Sequence, residues 1–245
     1  MKLKLIGSLI LASLSLHSYA QDLQDTIADK LTNLTGFEIK SISEHESGLY
    51  EIVTDRTVMY STHDGKHLIN GQIHRFENGL LNLTAERKAE EAAKEIARIK
   101  PSFVSYKAPN EKYEAVVFFD TTCGFCKKMH REMSQYNAAG ITIHYAIWPR
   151  QGVYLPQSNN QLYTQSYLNM QSIVCAKNPE MAMNMVMRDE TIDKAECKNE
   201  IEASYNLGQW LGVAGTPAIY STNGRLISRG YAPAEELLGM FKGAQ

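Results

Sequence analysis

Two features that would define large classes of protein are missing from this sequence. Beyond residue 20, no apolar run approaches the ~20 residues that a transmembrane helix needs, which excludes a membrane-inserted chain. Basic residues are not in excess, because 25 Lys and Arg stand against 27 Asp and Glu; nothing therefore favours nucleic acid as a partner. Proline is scarce, with 7 residues, and 44% of the chain is hydrophobic, which is typical of a folded globular protein.

The first 20 residues have the layout of a cleavable secretory signal. Lys2 and Lys4 precede a mostly apolar stretch over 5–16, and the small-residue pattern SYA follows at 18–20. The stretch is too short to cross a bilayer, and a buried N-terminal helix is the alternative interpretation. We expect an exported, soluble chain that begins near Gln21. Its net charge is −4, since 23 basic residues remain against 27 acidic ones.

The N-terminal third of the mature chain has no cysteine. Strand-like pieces at 48–53, 57–61 and 67–73 alternate with turn residues, after a short amphipathic helix over 22–31. A unit of about 60 residues without a disulfide buries only a marginal core. Pairing with a second copy through a strand edge would cover that deficit. We therefore predict a dimerisation domain over 21–83.

A charged, alanine-rich segment divides the mature chain. Its composition favours a helix over 84–100 that Pro101 ends. Ile96 and Ile99 are the only large residues on its apolar side, so it should bury little. We interpret residues 84–104 as a solvated linker helix; an ordinary surface helix of one larger domain is the alternative.

From Tyr113 onward the pattern alternates strands and helices. We predict strands over 113–119 and 141–147, a hairpin with a two-residue turn at Asn223-Gly224, and five helices. The helices are predicted over 123–138, 159–176, 178–188, 196–211 and 233–241. This order indicates an α/β domain with a central sheet over 105–245.

The two closest cysteines, Cys123 and Cys126, lie at the predicted start of a helix. A thiol in the first turn faces unpaired backbone N–H groups and the positive end of the helix dipole, so its thiolate is favoured. We predict that Cys123 is the attacking nucleophile and that Cys126 is the more shielded thiol that resolves a mixed disulfide. Gly124 allows another chain to approach closely, and Phe125 supplies an apolar contact beside the sulfur.

Two alternatives remain for this pair: half of a zinc site, or inert buried thiols. Zinc needs four ligands, normally with a second close pair, and Cys175 and Cys197 are far apart. Lys127 and Lys128 flank the pair, which favours a thiolate and opposes a cation. We therefore expect no metal and no cofactor.

The remaining cysteines, Cys175 and Cys197, have no partner at a compact spacing. We interpret them as one structural disulfide, which would stabilise the fold by roughly 3 kcal/mol in the chain-entropy model; a second redox centre is the alternative. In a separate segment, proline at the first residue of a strand would explain Pro217. The functional alternative is a cis Thr216-Pro217 bond that presents the backbone to an extended substrate, which makes Gly215, Thr216 and Pro217 candidate substrate-binding residues.

Four segments in this order resemble the DsbC/DsbG family of periplasmic disulfide isomerases. They are DTTCGFCKKMH (120–130), WPRQG (148–152), Cys175 with Cys197, and LGVAGTPA (211–218). The resemblance covers essentially the whole mature chain. It implies an α/β fold class: a thioredoxin-like domain with a helical insertion, preceded by a small α+β (cystatin-like) dimerisation domain and a connecting helix. It also implies that Thr216 and Pro217 form a cis-proline loop.

The same resemblance implies a function and partners. The chain would be a V-shaped homodimer that reshuffles wrong disulfides in misfolded exported proteins, with Cys123 and Cys126 kept reduced by a DsbD-type membrane reductase. Phe125 replaces the tyrosine usual between the family's cysteines. Two other functions stay open: a dithiol oxidase, and a thiol-independent periplasmic chaperone.

Overall fold

The protein is described by a computed structural model that covers residues 23–77, 79–159 and 162–244. The predicted signal, residues 1–20, lies outside the described residues. The chain divides into two compact units between Thr84 and Ala85.

The first unit is a helix followed by a small antiparallel sheet. Helix α1 covers residues 23–35, and the sheet has the order β1-β2-β3-β4. The strands are β1 (Ile39–His45), β2 (Leu49–Thr54), β3 (Val58–Ser61) and β4 (Leu68–Ile69), with a separate pair β5 (His74–Arg75) and β6 (Leu81–Asn82). Strand β1 was not predicted, because its exposed and half-buried residues do not alternate.

The core of the first unit is small. Ile27 and Leu31 of α1 pack on the buried side chains of Tyr50, Ile52 and Met59 from β2 and β3. Val53, Val58 and Tyr60 are buried as well, so the core is small, as expected for a unit of this length without a disulfide.

The second unit has a five-stranded mixed sheet in the order β11-β10-β8-β9-β7. Its central strands β8 and β9 are parallel, and the other pairs are antiparallel. The strands are β7 (Val104–Tyr106), β8 (Tyr113–Phe119), β9 (Ile141–Ile147), β10 (Ala218–Ser221) and β11 (Leu226–Ser228). The helices are α2 (Leu83–Ile99), α3 (Gly124–Arg131), α4 (Met133–Ala138), α5 (Gln165–Val174), α6 (Pro179–Val186), α7 (Ile201–Leu211) and α8 (Ala234–Gly243), with a 3-10 turn at Lys100–Ser102.

Helix α2 corrects the interpretation of a solvated linker. Ala89, Ala92, Ile96 and Ile99 are all at most 6% exposed. The indole N–H of Trp210 donates to the Lys88 carbonyl oxygen at 3.2 Å. Small alanine side chains let the rest of the second unit approach the helix backbone closely, so the scarcity of large apolar residues did not mean exposure.

The helix predicted over 123–138 is broken at Glu132, which has φ −97° and ψ 12°. The Glu132 carboxylate accepts a hydrogen bond of 2.6 Å from the hydroxyl of Tyr231. This partner lies 99 residues away, so no local pattern could reveal the contact.

Three other predictions needed revision. The helices of the insertion are shorter than predicted, and α7 begins at Ile201 rather than near residue 196. Thr164 is the N-cap of α5, which therefore begins at Gln165 rather than near residue 159, whereas α6 begins directly after its N-cap Asn178, as predicted. The β10–β11 hairpin has a three-residue loop, since Ser221 N–H donates to the Arg225 carbonyl and Gly224 has φ +80°; a left-handed glycine after a tight turn is the usual form of such a loop.

Candidate functional site: a buried dithiol beside the Thr216 loop

The dithiol lies where the central strand β8 passes into helix α3. Cys123 is the N-cap of that helix, with extended backbone angles of φ −84° and ψ 117°. Its sulfur accepts a hydrogen bond of 3.3 Å from the backbone N–H of Cys126. The sequence predicted Cys123 in the first turn of the helix, whereas the structure places it one residue before that turn, at the N-cap. Its sulfur therefore accepts a hydrogen bond from one of the otherwise unpaired N–H groups of the helix.

Both thiols are free and buried, with Cys123 4% exposed and Cys126 fully enclosed. The hydrogen bond from the Cys126 thiol is the largest influence on Cys123 and lowers its pKa to about 5. Thr216 and the backbone N–H groups of Cys126 and Phe125 lower this pKa further, while burial opposes them. The Cys123 sulfur is consequently favoured as a thiolate at neutral pH.

The pKa of Cys126 moves in the opposite direction. Its hydrogen bond to Cys123 and its burial both raise the pKa well above the ordinary value for a thiol. The pair thus shares one proton, which stays on Cys126. At neutral pH the two sulfurs therefore differ in charge, with a thiolate at Cys123 and a thiol at Cys126.

The segment around Pro217 faces the attacking sulfur. The Thr216-Pro217 peptide bond is cis. The Cys123 sulfur lies 3.1 Å from the carbonyl oxygen of Thr216. The Thr216 hydroxyl oxygen is buried and has no hydrogen-bond partner within the described parts of the chain.

The other residues predicted to bind substrate lie at the surface around this pair. Gly124 and Phe125 are exposed, and Gly215 is partly exposed. A Cβ atom at Gly124 or Gly215 would meet nothing within 4 Å, so the space over both glycines is open to another chain.

Lys127 and Lys128 contact other groups instead of forming a cationic rim around the thiols. Lys127 forms an ion pair with Asp189, and the Lys128 ammonium lies 4.0 Å from the centre of the Tyr231 ring. The sequence predicted that these two lysines favour the Cys123 thiolate. In the structure, hydrogen bonds lower the pKa of Cys123 instead.

Asp120, the last residue before the loop that carries Cys123, was not predicted from the sequence as a site residue. Its carboxylate is fully buried and accepts hydrogen bonds from Thr122 N–H (2.7 Å), Thr122 hydroxyl (2.6 Å), Arg150 N–H (2.9 Å) and Ser166 hydroxyl (2.9 Å). Burial disfavours its charge, but these hydrogen bonds more than offset that effect and lower its pKa. An ionised carboxylate therefore joins the loop before Cys123 to two distant segments. Arg150 belongs to the WPRQG segment, and this segment was the sequence signal from which the contact with Asp120 could have been predicted.

Cys175 and Cys197 form a disulfide with a Cα–Cα distance of 5.5 Å. It connects the end of α5 to the irregular chain before α7. In the described ranges, no three His, Cys, Asp or Glu side chains come together as a metal-binding group. Nor does any described helix have the length and apolar character needed to cross a bilayer.

Comparison with known proteins agrees with this architecture. A family model described as a thioredoxin-like domain matches residues 99–245, and one described as the disulfide bond isomerase protein N-terminal domain matches residues 17–85. The chain is therefore a thioredoxin-like protein with an additional N-terminal domain, which confirms the predicted fold class.

Curated relatives extend the match over most of the chain. The thiol:disulfide interchange protein DsbC of Dickeya dadantii (strain 3937) is 34% identical over 219 residues, covering 89% of this chain and 86% of that protein. DsbC of Escherichia coli (strain K12) is 37% identical over 191 residues, covering 78% and 75%. This chain belongs to the DsbC family of thiol:disulfide interchange proteins. Among solved structures, a disulfide interchange protein from Neisseria gonorrhoeae covers 58% of this chain and 95% of its own, with 23% identity and a TM-score of 0.47.

Proposed function

We propose that this protein is a disulfide isomerase that reshuffles incorrect disulfides in exported proteins. The observation that carries the proposal is the opposite pKa shift of the two thiols, down to about 5 at Cys123 and upward at Cys126. A thiolate is the form that attacks disulfides, and a low pKa also makes Cys123 a good leaving group. Both properties are needed by an enzyme that must bind a substrate sulfur and then release it.

The reaction begins when the Cys123 thiolate attacks one sulfur of a substrate disulfide. A Cys123–substrate disulfide forms, the substrate disulfide breaks, and the second substrate sulfur leaves as a thiolate. That thiolate attacks another disulfide of the same substrate, and the sulfur released there attacks the mixed disulfide and expels Cys123. The number of disulfides is unchanged, so no net electrons are transferred.

Cys126 releases the substrate from the Cys123 mixed disulfide when reshuffling stalls. The hydrogen bond to Cys123 is the largest cause of its raised pKa, and this cause disappears once the Cys123 sulfur is in a mixed disulfide. Cys126 then loses its proton more easily and attacks Cys123, which releases the substrate as a reduced thiol. Two electrons pass to the substrate and a Cys123–Cys126 disulfide forms, so a reductant is required; we assign this role to a DsbD-type membrane reductase.

Gly124, Phe125, Gly215, Thr216 and Pro217 are proposed to bind the substrate backbone next to its cysteine. Open space above the two glycines supports this role. An extended chain placed there can pair with the exposed backbone beside Thr216, as in other cases of strand addition.

A homodimer formed through the first unit is also proposed. This unit has a small core and several large apolar side chains in contact with solvent, of which Phe76 is 84% exposed. The others are Leu34, Leu68, Ile69, Leu80 and Leu81. A second copy that covers them would bury apolar area and provide two substrate-binding arms. Phe76→Glu should shift the sedimentation of the full chain toward the monomer, and sedimentation like that of the unaltered protein would argue against this interface.

The proposed site of action is the periplasm, with residues 1–20 as the export signal. The basic, apolar and small-residue order of that segment supports this location. Mature protein that begins near Gln21 in a periplasmic extract is the expected finding.

Refolding of a scrambled multi-disulfide protein tests the proposed function. Cys123→Ser should abolish the recovery of native substrate, because no thiolate remains at the N-cap. Cys126→Ser should instead accumulate substrate covalently bound to Cys123, visible on non-reducing gels. Undiminished refolding by the Cys123→Ser protein would refute the proposal.

The redox state of the dithiol in the exporting cell separates an isomerase from a dithiol oxidase. Alkylation of freshly extracted protein should label Cys123 and Cys126 and leave Cys175 and Cys197 unlabelled. A mostly oxidised Cys123–Cys126 pair would favour the oxidase. Suppression of aggregation by a cysteine-free variant would support an additional chaperone role.

A further inference from the structure

An aromatic pair lies directly beside the reacting sulfur. The Phe125 ring is 62% exposed, and it faces the ring of Tyr231 with centroids 6.1 Å apart and planes inclined by 24°. The backbone N–H of Phe125 helps to stabilise the Cys123 thiolate. Any polypeptide bound to Cys123 through a disulfide must therefore pass close to this pair.

Tyr231 is held firmly in place. Its hydroxyl donates to the Glu132 carboxylate at 2.6 Å, and the Lys128 ammonium lies 4.0 Å from its ring centroid, within the range of a cation–π contact. The neighbouring backbone is fixed as well, because the hydroxyl of Tyr136 donates to the Ala232 carbonyl at 2.6 Å. A ring immobilised in advance loses little entropy when it binds a partner.

Phe125 is different, because it remains largely exposed in spite of Tyr231. The stacked contact with Tyr231 leaves Phe125 62% exposed, so an apolar surface beside the dithiol stays available to a partner. Unfolded and misfolded proteins expose apolar and aromatic side chains. Such a side chain could contact both rings and remove their faces from water.

We propose that Tyr231 is a specificity-determining residue, which together with Phe125 binds an apolar or aromatic side chain next to the substrate cysteine. This inference rests on the proposed function. It means that disulfides flanked by side chains that belong in a protein core react faster than disulfides flanked by polar residues.

The experiment compares two symmetric disulfide peptides that differ only in having phenylalanine or serine beside the cysteine. Reduced protein transfers two electrons to each peptide, so that Cys123 and Cys126 become a disulfide and two peptide thiols are released. Stopped-flow rates should be about 5- to 10-fold higher for the phenylalanine peptide. Tyr231→Ala should lower this ratio to less than about 2, mainly by slowing the phenylalanine peptide.

Three variants make the result specific. Tyr231→Phe keeps the ring and should retain the preference. Phe125→Ser changes an exposed side chain, so it tests the same surface even if Tyr231→Ala does not fold, and it should also lose the preference. Tyr113→Ala is the control. Tyr113 also stacks on a phenylalanine, Phe241, but it lies at the opposite end of β8 from Cys123, so this variant should keep the preference for the phenylalanine peptide.

Equal rates for the two peptides with unaltered protein would overturn the inference. So would an unchanged ratio in both Tyr231→Ala and Phe125→Ser. Failure of the proposed function looks different: unaltered protein would then reduce the peptides but fail to recover native protein from scrambled substrate.

Discussion

The sulfur of Cys123 and the carbonyl oxygen of Thr216 are 3.1 Å apart, although the two residues are separated by 93 positions in the chain. This contact joins the helix that carries the dithiol to the strand that enters the sheet at Ala218. The Cys123 sulfur, the proposed nucleophile, therefore lies against the segment proposed to hold the substrate backbone. A substrate sulfur that reacts with Cys123 comes directly beside that backbone.

Thr216→Val should raise the pKa of Cys123. The hydroxyl of Thr216 is buried and has no hydrogen-bond partner among the described residues, and Thr216 is one of the groups that lower the pKa of Cys123. Valine keeps the shape but removes the donor, so we expect a rise of roughly half to one pH unit, which corresponds to one hydrogen bond of ordinary strength. The rate of alkylation as a function of pH measures it. Thr216→Ser, which keeps a hydroxyl, is the matched control, and equal pKa values in valine and serine variants would show that the hydroxyl has no such role.

Asp120→Asn should destabilise the protein at neutral pH by about 2 to 4 kcal/mol. In the unaltered protein, four hydrogen-bond donors point at the Asp120 carboxylate. The asparagine amide brings its own N–H donors into this group, where they find no acceptor. Because the folded-state pKa of Asp120 is lowered, its contribution is present above the unfolded-state pKa of about 4 and is lost as pH falls through the lower folded value.

Urea unfolding at several pH values measures this effect. The difference between Asp120→Asn and unaltered protein should narrow as the pH falls below about 4. Glu235→Gln changes an exposed carboxylate in α8 and should stay within about 0.5 kcal/mol of the unaltered protein. A stability difference for Asp120→Asn that does not depend on pH would contradict the ionised, hydrogen-bonded carboxylate.

Replacing both Cys175 and Cys197 by serine should lower the free energy of unfolding by ~3 kcal/mol. The bridge spans 22 positions and restricts the unfolded chain, so its removal acts on stability rather than on the dithiol. Calorimetry measures the first effect and thiol titration the second, where the pKa of Cys123 should be unchanged. A double variant as stable as the unaltered protein, or one with an altered Cys123 pKa, would show that the bridge has a different role.

Gly224→Ala should cost at least ~2 kcal/mol. Gly224 has φ +80°, and a Cβ atom there would overlap the carbonyl oxygen of Ala89 in α2. Denaturant unfolding measures the loss, with Gly239→Ala in α8 as the control. A Cβ at Gly239 would meet nothing within 4 Å, so this helical glycine should tolerate alanine or gain about 1 kcal/mol. Equal stability of the two variants would mean that α2 does not pack on the hairpin.

Local patterns predicted the elements that local interactions determine. The helix predicted over 84–100 is present at Leu83–Ile99, and the strands predicted over 113–119 and 141–147 have those bounds in the structure. The order of strands and helices was sufficient for the α/β class. Helix propensity, apolar runs and glycine caps act within a few residues, so they can be recognised without a structure.

Long-range contacts explain what the sequence did not reveal. Glu132, at the break between α3 and α4, bonds to the distant Tyr231, and α2 is contacted by Trp210 and by the hairpin at Gly224. The candidate site was predicted where two cysteines are close in sequence. Asp120 was missed because its partners Arg150 and Ser166 come from other segments.

The ultraviolet absorbance of the thiolate as a function of pH tests the central claim most directly. In reduced protein, with the Cys123→Ser variant as the blank, a single sulfur should ionise with a pKa near 5 and remain ionised through neutral pH. That result would support Cys123 as the nucleophile, with its thiolate favoured by the groups around it, Cys126 first among them. A sulfur that ionises only near the ordinary thiol pKa of about 8.5 would contradict the account.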